Sequence, residues 1–279
     1  MCSSDLAPGR HRIISRDARN WQALDEGKIV FDDADRDEVY DVATDRYVID
    51  FAGDAEELGG SRSLAYFPGL GIAAAAGHAG VSIRAVGEDQ GEIIFRPPAG
   101  DPRPISLQQE GEMLVIKHER AAMIYDVSSR KMVLEFDAAR DGLRAIFEVK
   151  YLPAAQAAIA RGAGGVIMKR PGGTGQLLTD DQWAGLRFSA DGRMAAIQAD
   201  GELILLDAGT GKMSRMNTAN RRISDFAVTG GWVIFWGKDG AMARGIDDDR
   251  WQEVLPAPLA ARSPDTFVRS EERRVGKEV

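Results

Sequence analysis

Residues Glu202-Leu-Ile-Leu-Leu-Asp207-Ala-Gly-Thr-Gly-Lys212 decide how this chain is read. A short apolar run ends in Asp, and a Gly/Thr-rich turn follows. The same phrase returns as Met123-Ile-Tyr-Asp126-Val-Ser-Ser-Arg-Lys131 and as Glu38-Val-Tyr-Asp41-Val-Ala-Thr-Asp-Arg46. Weaker copies are Val81-Ser-Ile-Arg84 and Val166-Ile-Met-Lys169, and aligning Asp239-Gly240 with Asp200-Gly201 adds a sixth at Ile246. The equivalent positions 41, 84, 126, 169, 207 and 246 are separated by 43, 42, 43, 38 and 39 residues. Self-similarity with a period of 20–50 residues marks solenoids and propellers.

A second phrase keeps register with the first. Tyr66-Phe-Pro-Gly-Leu-Gly-Ile-Ala73, Tyr151-Leu-Pro-Ala-Ala-Gln-Ala-Ala158 and Phe188-Ser-Ala-Asp-Gly-Arg-Met-Ala195 each place a small residue seven positions after an aromatic. The aromatic precedes the anchor by 18, 18 and 19 residues. In the clearest copy, Gly185 to Ser189, Met194 to Gln198, Leu203 to Leu206 and Lys212 to Met216 read as four short strands. Asp191-Gly192 and Asp200-Gly201 supply tight turns between them. Helical periodicity is absent almost everywhere. Four antiparallel strands every forty residues or so describe propeller blades. The expected fold is therefore an all-β propeller of about six visible four-stranded antiparallel blades, in a ring that is truncated or seven-bladed. Blades are expected near 18–52, 60–97, 103–137, 143–179, 183–218 and 221–256. Near-continuous apolar runs such as Met113-Leu-Val-Ile116 and Trp232-Val-Ile-Phe-Trp236 fit strands buried on both faces. Trp183, Trp232 and Trp236 are expected to pack between blades, with Trp251 exposed.

Phe188-Ser-Ala-Asp-Gly-Arg193 and Asp200-Gly-Glu-Leu-Ile-Leu-Leu-Asp-Ala-Gly-Thr-Gly-Lys212 resemble the WD-repeat and YVTN-type propeller families. The family phrase runs Phe-Ser-Pro-Asp-Gly-Arg, then an Asp-Gly hairpin and a strand ending in Trp-Asp. The likeness is good over blade five, fair over blades one to four and poor over blade six. Leu206 stands where Trp is usual, and Gly77-His78 closes a second strand instead of preceding a first one. The resemblance is thus to a divergent member, without the Ser/Thr-His-Asp-Trp network. It implies a rigid scaffold whose loops bind a protein or peptide.

The ends are set apart from this pattern. Met1 to Leu6 and Arg269 to Glu278 both resemble a translated sequencing-adapter oligonucleotide, read on opposite strands. Residues 1–6 are expected to be a non-native leader and 269–279 a non-native tail, with the propeller over 7–268 and the true termini lost.

Formal net charge is −8, and the two end segments carry as many acids as bases, so the body keeps that value. A mildly acidic body argues against a nucleic-acid partner, which is usually met by a basic stripe. The one cysteine, Cys2, lies in the leader, so the body offers no disulfide, thiolate zinc site or cysteine nucleophile. That composition fits a cytoplasmic protein or a bacterial periplasmic one. No apolar run is long enough to span a membrane. A monomer is expected.

The search for chemistry yields no catalytic, cofactor or metal residue. His11, His78 and His118 fall in different units and read as turn or surface histidines. Asp32-Asp33-Ala34-Asp35-Arg36-Asp37 alternates acids like a calcium loop, but Glu38 and Thr44 stand where such a loop needs Gly and Glu. Asp247-Asp248-Asp249 reads the same way. Gly209-Thr210-Gly211-Lys212 lacks the rest of a phosphate loop, and Arg161-Gly-Ala-Gly-Gly165 and Arg170-Pro-Gly-Gly-Thr-Gly175 read as hairpin turns. Where other anchors are Asp or Ile, Arg84 and Lys169-Arg170 are basic; drift at a turn is preferred to an anion site. The expected function is a non-catalytic protein-protein interaction scaffold. The alternatives are a propeller enzyme or quinoprotein-like domain with its site at the central channel, and a regulatory appendage of a larger enzyme.

Overall fold

The computed structural model describes residues 3–7, 10–13, 20–23, 27–32, 37–51, 55–189, 191–199, 201–217, 223–229, 232–237, 240–245 and 252–255. They fall into two compact units, residues 1–151 with 158–178, and residues 152–157 with 179–279.

In the first unit, β1 (Ser3–Ala7) and β2 (Arg10–Ile13) form a hairpin. Residues 3–6, expected outside the fold, therefore lie in strand. Four sheets follow: β3 (Asn20–Ala23), β4 (Lys28–Asp32), β5 (Asp37–Asp41) and β6 (Arg46–Asp50); then β7 (Ser61–Phe67), β8 (Ile72–Gly77), β9 (Val81–Ala85) and β10 (Glu92–Phe95). The third holds β11 (Ser106–Glu110), β12 (Met113–Lys117), β13 (Ala121–Asp126) and β14 (Lys131–Asp137), and the fourth β15 (Ile146–Leu152), β16 (Ala157–Gly162), β17 (Gly165–Lys169) and β18 (Gln176–Thr179). Each is ordered as it runs in the chain, a four-stranded meander. One helical turn, α1 (Ala55–Leu58), precedes β7.

The second unit repeats the plan in β19 (Gly185–Phe188), β20 (Met194–Ala199), β21 (Glu202–Asp207) and β22 (Met213–Asn217), and in β23 (Ile223–Thr229), β24 (Trp232–Gly237), β25 (Gly240–Gly245) and β26 (Gln252–Leu255). Leu203 and Leu205 of its first sheet pack with Phe226, Val233 and Phe235 of its second.

The alternation of side chains along a strand sends neighbours to opposite faces, and both faces are buried here. Ala73 and Ala75 pack with Val39, Ile49 and Phe51 of the first sheet, whereas Ala74 and Ala76 pack with Leu114, Ile116 and Tyr125 of the third. The third sheet in turn gives Ile124, Leu134 and Phe136 to Tyr151, Ala158 and Ile167 of the fourth. Each fully buried side chain as large as Phe136 contributes roughly 1.5–3 kcal/mol. Six four-stranded meanders, with neighbouring sheets packed face on face inside each unit, make this an all-β, multi-blade β-propeller.

The two sequence phrases acquire physical causes. The aromatic and the alanine seven residues later are cross-strand partners, Tyr66 with Ala73 and Phe188 with Ala195. The anchor aspartates close the turn behind them: Asp41 Oδ1 accepts from Ala43 N and Thr44 N, Asp126 Oδ1 from Ser128 N and Ser129 N, and Asp207 Oδ1 from Gly209 N and Thr210 N. Such Asx turns hold the chain reversal without a second strand's help.

The basic anchors do something else, and they correct their reading as drift. Arg84 donates to the carbonyl of Asp50 on β6, and Lys169 Nζ donates 2.9 Å to the carbonyl of Glu135 on β14. Each reaches back 34 residues onto the outer strand of the preceding sheet. The match is wider: Phe51 and Phe136, Leu58 and Leu143, Tyr66 and Tyr151, Gly77 and Gly162, and Arg84 and Lys169 all stand 85 residues apart. Asp45 and Arg130, the same interval apart, both adopt the left-handed conformation, at φ 55° and 53°. The first four sheets are two copies of a two-sheet unit.

Two tryptophans depart from expectation. Trp183 is 81 % exposed and Trp232 is 42 % exposed, whereas Trp236 is half-buried. Trp183 sits on the connection before β19, in a turn where Asp181 Oδ1 accepts its backbone N–H at 2.8 Å. Trp251 lies outside the described residues.

Candidate functional site

The β8–β9 turn, the connection from β10 to β11 and the β12–β13 turn meet at one corner of the first unit. His78 and Ala79 from the first, with Pro97, Pro98, Gly100, Asp101 and Pro102 from the second, line an open cleft of about 370 Å³. Proline fixes its own φ, so the three prolines stiffen the wall before anything binds. Gly100 takes φ +77° there, and Asp101 N donates to Pro98 O at 3.2 Å to close the turn.

Asp101 organises the corner. Its carboxylate accepts from Arg103 Nε at 2.7 Å and Nη2 at 2.6 Å, a bidentate pair, and forms an ion pair with Arg120, whose Nε is 3.1 Å away. Arg103 also pairs with Glu119. The hydrogen bonds from the Arg103 guanidinium hold the Asp101 carboxyl down to about 2 against the opposing effect of burial. A charge-assisted fork of this kind combines strength with direction. A carboxylate so held stays ionised at neutral pH and is a poor proton donor or acceptor for catalysis.

His118 lies beneath, in the β12–β13 turn but fully buried, which rules out the surface half of its reading as a turn or surface histidine. Its Nδ1 accepts the Arg120 backbone N–H at 3.2 Å, so Nε2 carries the proton of the neutral ring. Nε2 stands 3.7 Å from Asp101 Oδ1 and has no hydrogen-bond partner. Burial pushes the imidazole below its ordinary value, opposed by Asp101 and Glu119 and reinforced by Arg103 and Arg120. The turn is tied onward: Ile146 N donates to Glu119 O at 2.6 Å and Ala138 N to Arg120 O at 2.8 Å. One buried ring thus touches a turn that anchors the connection between the third and fourth sheets.

Asp101 sets a pH dependence whose sign is fixed. Its folded value is lowered from 3.8, so its contribution is complete above the unfolded value and is lost as pH falls through about 2. Urea unfolding of wild type and Asp101→Asn should show a gap that is constant near neutrality and closes below about pH 4. A gap that persists unchanged into strong acid would remove the Arg103–Asp101 pair as its source.

The other residues singled out in the sequence are scattered or locally satisfied. His78 is half-buried in the cleft wall, with a buried Nδ1 that has no partner. His11 lies on β2, but its side chain is outside the described residues, as are 33–36 and Asp247-Asp248-Asp249. Gly209-Thr210-Gly211-Lys212 is the Asx turn of Asp207, whose carboxyl is lowered by the Thr210 backbone N–H against burial. Arg161-Gly-Ala-Gly-Gly165 is the β16–β17 turn. Arg170-Pro-Gly-Gly-Thr-Gly175 walls a groove of about 510 Å³ beside β14, where Lys169 Nζ meets both Asp141 carboxylate oxygens at 2.8 Å. That lysine is committed to a carboxylate and a carbonyl rather than presented to an anion. No group of three or more His, Cys, Asp or Glu able to hold a metal occurs among the described residues. No described helix is long and apolar enough to cross a membrane.

Asp101, Arg103, Glu119 and Arg120 went unnoticed in the sequence. Asp101 and His118 belong to different connections and carry no spacing signature. The run of prolines from Pro97 to Pro104 was the available signal.

No family model matches the sequence, and no curated protein matches it. Solved structures do resemble the fold. A eukaryotic initiation factor is similar with a TM-score of 0.50 at 12 % identity, over 89 % of this chain and 68 % of that one. KlHsv2 with its loop 6CD replaced by a Gly-Ser linker gives 0.48 at 12 % identity, over 89 % and 88 %. The extracellular domain of a one-component system from B. thetaiotaomicron gives 0.39 at 15 % identity, over 85 % of this chain but only 33 % of that one. The chain thus spans a third of the length of that last structure. At these identities the likeness is one of fold.

Proposed function

We propose that residues 7–268 form one WD-repeat-like propeller domain that acts without chemistry of its own and docks a protein or peptide segment at the cleft beside Asp101. The observation that carries this reading is the state of that carboxylate. Among the described residues it is the one carboxylate in the cleft lining, and Arg103 holds it ionised, so it fixes the charge and shape of the cleft wall rather than exchanging protons with a ligand. The rest of the lining, chiefly prolines and alanines, offers apolar contact and rigid backbone. Arg120 and Glu119, exposed at the edge, supply the charged rim typical of a docking surface. Propeller scaffolds place specificity in their connecting loops.

The test uses the full chain to select from a displayed peptide library. Ala79 and Ala99 are exposed, so Ala79→Arg and Ala99→Arg fill the cleft mouth without disturbing the core. Peptides enriched on wild type should lose binding at least about tenfold on either variant, a loss of roughly 1.4 kcal/mol. Equal capture by wild type and both variants would place the docking surface elsewhere.

A further inference from the structure

We propose that His118 is a proton-operated latch on this corner: the neutral ring fixes the Arg120 peptide within the β12–β13 turn, whose ends the His118 N–H to Ala121 O bond joins, and a second proton on the ring frees that peptide. The argument is one of donors and acceptors. In the neutral ring Nδ1 is an acceptor and receives the Arg120 backbone N–H. A proton added to Nδ1 makes it a donor, facing another donor. The Arg120 N–H···Nδ1 bond is then lost, and nothing else in the corner offers Arg120 N an acceptor among the described hydrogen bonds.

The imidazolium has a destination. Nε2–H already stands 3.7 Å from Asp101 Oδ1, too far for a hydrogen bond but near enough for a charge to close the distance. The groups facing the ring are Asp101 and Arg103 on the β10–β11 connection, and Glu119 and Arg120 on its own turn. Two are acids and two are bases, and Asp101 is shared between both arginines. An imidazolium moving onto Asp101 competes with Arg120, the more exposed of the two, whose side chain is 58 % exposed and 3.1 Å away. Protonation therefore exchanges one tie for another: the turn loses its Nδ1 contact and its Arg120 contact as His118 gains Asp101.

What is released matters because of what the turn holds. Glu119 O and Arg120 O accept from Ile146 N and Ala138 N, so loosening residues 118–121 loosens the connection between β14 and β15. Asp101 also lines the cleft. The latch thus gates the proposed docking cleft, a consequence that rests on the docking reading; the latch itself does not. Burial depresses the imidazole, so the neutral form prevails at neutral pH. For a buried neutral histidine the folded state is fully favoured above the unfolded value of 6.5, and that advantage is lost as pH falls below it.

Hydrogen exchange of the full chain, with labelling times corrected for intrinsic rates, tests the latch at about pH 7.5 and about pH 4.5. Peptides covering 97–105, 118–122 and 138–146 should lose protection about tenfold at the lower pH in wild type. In His118→Gln, whose amide oxygen still accepts from Arg120 N but takes no proton, protection should not change with pH. Equal protection at both pH values in wild type, or the same loss in His118→Gln, overturns the proposal. An imidazole ¹⁵N titration of the wild-type chain gives a second readout, needing no variant to fold. It should report an Nε2–H tautomer at neutral pH, and an Nδ1–H tautomer would overturn the latch. Neither experiment contains a peptide, so the latch can fail or stand whatever the library selection shows.

Discussion

Lys169→Ala should lower the free energy of unfolding by ~3–5 kcal/mol, the cost of leaving a buried charge without its partner. The lysine and Asp141 side chains are only 9 % and 7 % exposed, and Nζ is 2.8 Å from the carboxylate. The same ammonium caps the Glu135 carbonyl and lies 5.4 Å over the Phe136 ring, so its loss removes a contact from a carbonyl and an aromatic face and leaves the Asp141 anion only the exposed Arg140, 3.9 Å away. Asp141 in turn accepts from Asp137 N at 2.8 Å, so the outer edge of β14 is closed by this pair of side chains where a fifth strand would otherwise pair. Lys169→Met combined with Asp141→Asn keeps an acceptor for Asp137 N and removes both charges. Chemical denaturation should find the double variant more stable than Lys169→Ala. A single variant within about 1 kcal/mol of wild type would show that the pair is solvated and unimportant.

Gly162→Ala should be comparably damaging for an unrelated reason. A Cβ at that position would lie 2.0 Å from Ala145 O and 3.0 Å from Leu143 Cβ. The carbonyls cannot simply retreat, because Ala145 O accepts from Ala163 N at 3.0 Å and Leu143 O from Gly164 N at 2.8 Å. Overpacking ordinarily costs 1–3 kcal/mol, and collision with tethered backbone carries this to about 4 kcal/mol. Gly77→Ala, with Gly60 O at 2.1 Å and Leu58 O at 2.2 Å, should behave alike. Gly69→Ala, with open space around it, should stay within ~0.5 kcal/mol. Thermal or denaturant unfolding distinguishes them; if Gly162→Ala and Gly69→Ala were equally benign, the close approach of backbone to backbone would be refuted.

The blade pattern was legible because local chemistry enforces it. Asp207 needs only the two N–H groups that follow it to close a turn, and Asp191-Gly192 needs only its own φ, +66° at Gly192. Such signals are written within a few residues, and a continuous apolar run such as Met113-Leu-Val-Ile116 says that both faces will be covered. The corner is different in kind. Asp101 meets His118 only because a connection and a hairpin from one blade fold to the same end, a fact of tertiary packing with no local sign. Aromatic character misled at Trp183, which lies in a connection closed by Asp181 and not in a strand. Arg84 and Lys169 looked like drift because each was compared with aspartates in neighbouring blades; comparison across 85 residues pairs them with one another.

That longer interval bears on how the molecule came to be built. A cation at 84 or 169 is useful only when an outer strand lies 34 residues behind it, so a lone blade carrying it would have nothing to grip. The repeating element of the first unit is thus a couple, a holder together with the blade it holds. Cutting out residues 39–123 would rejoin Glu38 to Ile124 and leave the later lysine's grip on Glu135 intact, whereas removing only the holding blade of a couple would take away the carbonyl its cation grips.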